Sequence, residues 1–119
     1  ERVCLEFSAD GLLIRQPYSV QEIEDEGRIL EHCVGGYAER HAMGKLSIMF
    51  LRKASEPDIP YYTVEVSRYG GIVQCRGYRN NVVQNGGEDK PQEIKDFEQK
   101  YQRYLDAIFA EERKERKPA

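Results

Sequence analysis

Cysteine is scarce: three in 119 residues, an odd number. That argues against a disulfide framework and for a reducing compartment. Histidine is scarcer, with two. Cys4, His32, Cys33, His41 and Cys75 show neither CxxC nor HxxxH spacing, so neither a metal site nor a cofactor is expected. No apolar run approaches the roughly 18 residues of a membrane span, no signal-peptide pattern opens the chain, and no membrane partner is expected. There is no internal repeat and no low-complexity linker. No strand leads into Gly35-Gly36 and no P-loop lysine follows it. The pair therefore reads as a helix break rather than a phosphate cradle.

What is present fits one domain, 1–119, of 13.8 kDa. Hydrophobic residues make up 39% and charged residues 33%, and mean hydropathy is -0.74. Eight Tyr and four Phe are too many for a typical disordered chain. The first residue is Glu1, not Met, and we expect a domain excised from a longer protein.

Net charge is -3 and the pI is about 5.5, a poor global footprint for nucleic-acid binding. The charge is uneven, however. Residues 1–37 carry three basic and eight acidic side chains, whereas residues 38–81 carry seven basic and four acidic ones. That middle segment holds Arg40, Lys45, Arg52, Lys53, Arg68, Arg76 and Arg79. It reads either as a solvated mixed-charge surface or as an anion-facing patch on an acidic body.

The pattern predicts α+β, in the order ββααβββα, with a mainly antiparallel sheet and helices packed on one face. Residues 2–8 alternate, with Val3, Leu5 and Phe7 on one strand face. Asp10-Gly11 signals a hairpin returning through Leu12-Leu13-Ile14. Ser19 and Glu22 form a capping-box pair, with Tyr18 and Ile23 as a hydrophobic staple. Val20, Ile23, Gly27, Leu30 and Val34 trace a helical stripe. Glu22, Glu24, Asp25 and Glu26 suit the helix dipole. A short helix is expected over 37–43, ending at Gly44. Strands are expected at 46–52, 61–68 and 72–79, the last two around Gly70-Gly71, with a polar loop over 80–90. Pro91 opens a final helix, 91–113, at N1. Its stripe is Ile94, Phe97, Tyr101, Tyr104, Leu105, Ile108 and Phe109.

Two clusters invite chemistry. In the central hairpin, a Gly70-Gly71 loop sets Glu65 across from Arg76 and Ser67 across from Gln74. A Tyr69-Gly70 turn instead pairs Glu65 with Gln74 and Thr63 with Arg76. Either way Thr63, Glu65, Gln74 and Arg76 line one face, and Val64, Val66, Val73 and Cys75 the other. The polar stripe reads as an open, ligand-facing surface or as a cross-strand ion pair. The second cluster is His32-Cys33-Val34-Gly35-Gly36-Tyr37. Cys33 precedes a short helix whose dipole would favour thiolate, although His32, as an immediate neighbour, is poorly placed as its base. The plainer reading makes Cys33 a core residue and His32 a hydrogen-bonding group.

The string from Leu30 through His32-Cys33-Val34-Gly35-Gly36-Tyr37 to Arg40 resembles the signature of PcfJ-like proteins. So does the order that follows: Ile48 to Arg52, Pro60, Thr63-Val64-Glu65-Val66, Gln74-Cys75-Arg76-Gly77 and Asn80. The resemblance is clearest over residues 28–81. It implies the C-terminal domain of a longer protein encoded on conjugative plasmids, integrative elements or phages. It also implies a cytoplasmic location and dealings with DNA or RNA. It marks His32, Cys33, Gly35, Tyr37, Arg52, Thr63, Glu65, Gln74, Arg76, Gly77 and Asn80 as motif positions.

Three functions follow as expectations. The first is a module that binds or processes nucleic acid, single-stranded DNA or RNA. In it Arg40, Arg52, Arg76 and Arg79 meet phosphates, and Tyr37, Tyr78 and Tyr62 offer stacking faces. Gly77 allows close approach of a backbone, while Gln74, Thr63 and Asn80 complete the ligand shell. The second is an enzyme acting on a nucleotide-like or phosphorylated ligand. There Glu65 is the acid/base or a ribose-hydroxyl acceptor, Arg76 the phosphate clamp, His32 and Tyr37 the orienting groups and Cys33 a nucleophile or a bystander. The third is a protein-interaction domain of a transfer assembly, whose partners include the N-terminal region of the same protein.

Overall fold

A computed structural model describes residues 4–31, 44, 46–78 and 90–116. Among these, five strands form one antiparallel sheet in the order β1-β2-β3-β4-β5: β1 Phe7–Ala9, β2 Leu12–Arg15, β3 Leu46–Lys53, β4 Tyr62–Ser67 and β5 Ile72–Arg76. The described helices are α1, Val20–Leu30, and α2, Gln92–Arg116. The α+β class and the antiparallel sheet are as expected. The placement of the helices differs: they lie on opposite faces of the sheet. Ile23 of α1 forms one buried cluster with Leu46, Ile48 and Phe50, whereas α2 packs on Met49, Leu51, Val64 and Val66. The alternation of β3 explains this. Both of its faces are apolar through 48–51, so each needs a cover.

The first hairpin forms as its sequence dictates. Asp10 (φ 55°) and Gly11 (φ 78°) both adopt left-handed backbone, the type I′ turn that Asp-Gly favours, and Ala9 faces Leu12. The second hairpin is longer than a two-residue turn. Arg68, Tyr69 and Gly70 form its loop, closed by Gly70 N–H to Ser67 C=O at 3.0 Å. Gly70 sits at φ 98°. The register then shifts: Val66 faces Ile72, but Glu65 faces Gln74 and Thr63 faces Arg76. Val73 is the bulged residue and is 54% exposed, so it does not join Val64, Val66 and Cys75 on the buried face.

Helix α1 starts as expected. The Ser19 hydroxyl accepts from Glu22 N–H at 3.1 Å, and the Glu22 carboxylate accepts from Tyr18 N–H at 2.6 Å. The staple does not form: Tyr18 is 79% exposed, with the Arg15 guanidinium 4.2 Å from its ring centroid. The helix ends at Leu30, short of Val34, because Glu31 turns left-handed (φ 56°) and caps back to Gly27 C=O. The expected helix 37–43 lies outside the described residues. Helix α2 begins at Gln92, one residue after Pro91, whose C=O accepts from Lys95 N–H at 3.2 Å.

The whole expected stripe of α2 is in the core or packed against it. Burying each of its large apolar side chains contributes about 1.5–3 kcal/mol. The helix also holds the chain start: Tyr101 and Tyr104 hydroxyls donate to Leu5 and Cys4 C=O at 2.7 and 2.8 Å. The expected strand 2–8 is correspondingly short, pairing from Phe7. Between these two tyrosines in sequence, Gln102 grips the hairpin. It accepts from Ile72 N–H at 2.9 Å and donates to Gly70 C=O at 2.8 Å.

A Cβ on Gly70 would stand 2.8 Å from the Phe109 ring, on a backbone angle that L residues rarely take. Gly70→Ala should therefore lose about 2–4 kcal/mol of stability in urea unfolding, from left-handed strain plus overpacking. Gly71→Ala, whose Cβ would meet only Ser67 Oγ at 3.8 Å, should change stability far less. Equal losses would show that the Phe109 contact is not what demands glycine.

Candidate functional site

Parity sets one row of side chains on the α1 side of the sheet: Leu13 and Arg15 of β2, Ile48, Phe50 and Arg52 of β3, Thr63 and Glu65 of β4, Gln74 and Arg76 of β5. Four polar side chains on or facing this row are buried: Glu26 at 1%, Arg52 at 2%, Glu65 at 3% and Thr63 at 4% exposure.

The centre of the row is an ion pair. Arg52 meets Glu26 as a two-pronged fork, its guanidinium nitrogens 2.8 and 2.7 Å from the two carboxylate oxygens. Thr63 donates its hydroxyl to the same carboxylate at 3.2 Å. The Arg52 guanidinium lies 4.6 Å from the Phe50 ring centroid, a cation–π contact. One turn earlier on α1, Glu22 meets Arg15 at 2.5 Å. Glu22 and Glu26 are four residues apart and share a helical face. Two carboxylates of α1 thus meet two arginines of the sheet.

The two carboxyls titrate in opposite directions. Burial pushes Glu26 above its ordinary value, with Arg52 and then Thr63 pulling it back. The Arg15 hydrogen bond holds Glu22 below its own.

The structure separates the expected site residues. Thr63, Glu65, Gln74 and Arg76 share the polar face, as both candidate registers require, and the register with Thr63 opposite Arg76 is the one that forms. Glu65 is therefore not directly opposite Arg76. Arg52 is a correction: both guanidinium nitrogens engage Glu26 inside the protein, so it is not presented to a ligand's phosphates. Thr63 likewise donates inward, to Glu26. Tyr62 is 5% exposed and faces the α2 core, so it offers no stacking surface. Gly77 is buried, and Tyr78 is 53% exposed with its hydroxyl donating to Glu31 at 3.0 Å. That bond ties the end of β5 to the cap of α1. His32, Cys33, Tyr37, Arg40, Arg79 and Asn80 lie outside the described residues.

Sequence reasoning misses Glu26. Its acidic neighbours place it with the charges of the helix start, yet it stands three after Ile23 and four before Leu30, on the buried stripe. Lys90, Lys95, Gln99 and Gln102 are also missed. They line a groove between β5 and α2. Among the described residues no group of three or more His, Cys, Asp or Glu is placed to hold a metal ion, and no helix is long and apolar enough to cross a membrane.

An α+β domain with a helix-capped antiparallel sheet and a buried Glu–Arg pair on its polar face is the class defined by these features. The chain belongs to the PcfJ-like protein family, whose model matches residues 1–92. It is 36% identical over 78 residues to the uncharacterized protein Lin1253/Lin1744 of Listeria innocua serovar 6a. That match covers 64% of this chain and 17% of the relative, so the chain spans a small part of that protein's length. No solved structure matches the chain.

Removing one partner of the buried pair leaves the other charge without compensation. Glu26→Met and Arg52→Met should each cost about 3–5 kcal/mol in chemical unfolding, and the Glu26→Met/Arg52→Met double variant much less than their sum. Additive losses would mean that the pair is not coupled. The pH dependence follows from Glu22. Its folded value is depressed, so its stabilisation is fully present above the ordinary value of 4.5 and is lost as pH falls through the folded value. Glu22→Gln should flatten that acid-side loss. Glu26 carries the opposite sign: its ionisation weighs against folding as pH rises through its raised value.

Proposed function

We propose that this domain binds and acts on nucleic acid at the β4–β5 end of its polar face, in the setting of a mobile genetic element. The observation that carries the reading is the strip Thr63, Glu65, Gln74 and Arg76. A hydroxyl, a buried carboxylate, an amide and a guanidinium stand on two adjacent strands, in directly opposed pairs. Side chains in such pairs have Cβ atoms about 4.5–5.5 Å apart, so Glu65, Gln74 and Arg76 share one small volume, with the Thr63 hydroxyl turned inward to Glu26. Burying a carboxylate in a small sheet costs folding free energy, and such costs concentrate at functional sites. Arg76, half-buried at the outer strand, is the group to clamp a phosphate. Glu65 is the acid/base, or the acceptor for a ribose hydroxyl.

Tyr78, two residues past Arg76, bonds Glu31 at the end of α1, from which the motif His32–Tyr37 continues in sequence. The mobile-element setting rests on the family. A free nucleotide or another phosphorylated small molecule is the second reading, favoured by the depth of Glu65. Docking of a protein on the polar face has less support, because the C-terminal helix lies against the other face and does not plug it.

Thermal shift of the 119-residue chain at low and moderate salt tests this, against short single-stranded DNA, RNA and a nucleotide panel. A ligand at about 100 times its Kd adds roughly 2.7 kcal/mol of stability, an easily read shift. We expect a nucleic-acid shift that fades with salt and with Arg76→Ala. Glu65→Gln should keep binding and lose any turnover. No shift at low salt from a folded protein would refute the reading.

A further inference from the structure

Beside β5, the outer strand of the sheet, runs an open groove of about 630 Å3. Residues Ile72 to Arg76 form one wall; Lys95, Glu98, Gln99 and Gln102 form the other, from one face of α2. Lys90 completes the lining and bonds Glu98 at 2.9 Å. Three cations against one carboxylate give the groove a net positive charge, in a chain whose net charge is -3. The cations come from three separate places in the fold: β5, the approach to α2 and the first turn of α2. Lys95 and Gln99 are exposed.

Arg76 belongs both to this groove and to the strip that holds Glu65. We infer that the groove between β5 and α2 carries the phosphate backbone of a single nucleic-acid strand to the Glu65–Arg76 strip. This rests on the reading proposed above and names its substrate as a polymer, not a free nucleotide. Spaced cations track successive phosphates, and the amides of Gln74 and Gln99 supply donors and acceptors to base edges.

An acidic peptide added as a strand beside β5 is the competing occupant. Its pairing is obstructed at the hairpin end, where Gln102 already takes Ile72 N–H and Gly70 C=O.

Fluorescence anisotropy with labelled oligothymidylate and oligouridylate, across a salt series, tests the inference. Lys95→Glu and Gln99→Glu place negative charge in the groove at exposed helix positions. Arg103→Glu makes a larger charge change than Gln99→Glu, at an exposed position of the same helix outside the groove. Each groove variant should bind about tenfold or more weakly, and Lys95→Glu should flatten the log-log salt slope by about 0.7 for each phosphate it no longer neutralises. Arg103→Glu should stay close to the unsubstituted chain, and all three should melt as it does.

Oligonucleotide binding untouched by both groove variants overturns the groove and leaves the function standing. No oligonucleotide binding by the unsubstituted chain overturns both. Equal weakening of mononucleotide and oligonucleotide by Lys95→Glu overturns the strand track in favour of a small-ligand pocket. Displacement of the oligonucleotide by poly-glutamate at matched charge concentration overturns the assignment to nucleic acid.

Discussion

The bond between Glu26 and Arg52 determines how α1 sits on the sheet. The apolar contact of α1 is modest, and its buried stripe contains a glycine and a glutamate beside Ile23 and Leu30. A helix held only by that stripe would have several similar placements. The two-pronged fork removes most of them, because a planar guanidinium satisfies a carboxylate in few orientations. The Arg15–Glu22 pair repeats the constraint one turn away, and Tyr78 to Glu31 adds a third tie at the helix end. A well-packed apolar pair would hold the helix as strongly or more so, but with less control over its rotation and slide.

That control matters for the site. The motif that begins at His32 continues directly from the cap of α1. The end of α1 is tied to β5 through Tyr78, two residues past Arg76. Thr63 links the two halves of the polar row, since it donates to Glu26 and faces Arg76 across the strands. The row is thus structural at β2, at β3 and at Thr63 of β4, whereas Gln74 and Arg76 of β5 are only half-buried. On the opposite face α2 is bound by apolar packing from Ile94 to Phe109 and by tyrosine and glutamine hydrogen bonds near its middle.

Much of the fold was legible in the sequence. Period-two runs and the Asp10-Gly11 turn specified the first hairpin, and the stripe of α2 was readable residue by residue because no other element competes for its apolar face. The parity of Thr63, Glu65, Gln74 and Arg76 was also readable, since both candidate registers keep it. What was not legible depended on distant partners. The burial of Arg52 needs Glu26, which is 26 residues away, and nothing local distinguishes it from a surface arginine. The end of α1 at Leu30 needs a left-handed glutamate, a conformation that sequence assigns to glycine first, and a diglycine stands close by as a decoy. The groove between β5 and α2 joins residues from the final third of the chain with the middle hairpin. Its charges belong to different segments of the sequence, where neighbouring charges of opposite sign conceal them.

The bulge at Val73 makes the central hairpin a problem of counting. A loop of three residues changes the phase of the returning strand by one, and the extra residue at Val73 restores it. Loss of either insertion alone would turn β5 over, sending Arg76 into the apolar layer and Cys75 toward α1. Loss of both would restore the alternation. Length variation among relatives should therefore be correlated at these two places: a chain with a two-residue turn should lack the bulge, and a chain that keeps the bulge should keep the longer loop.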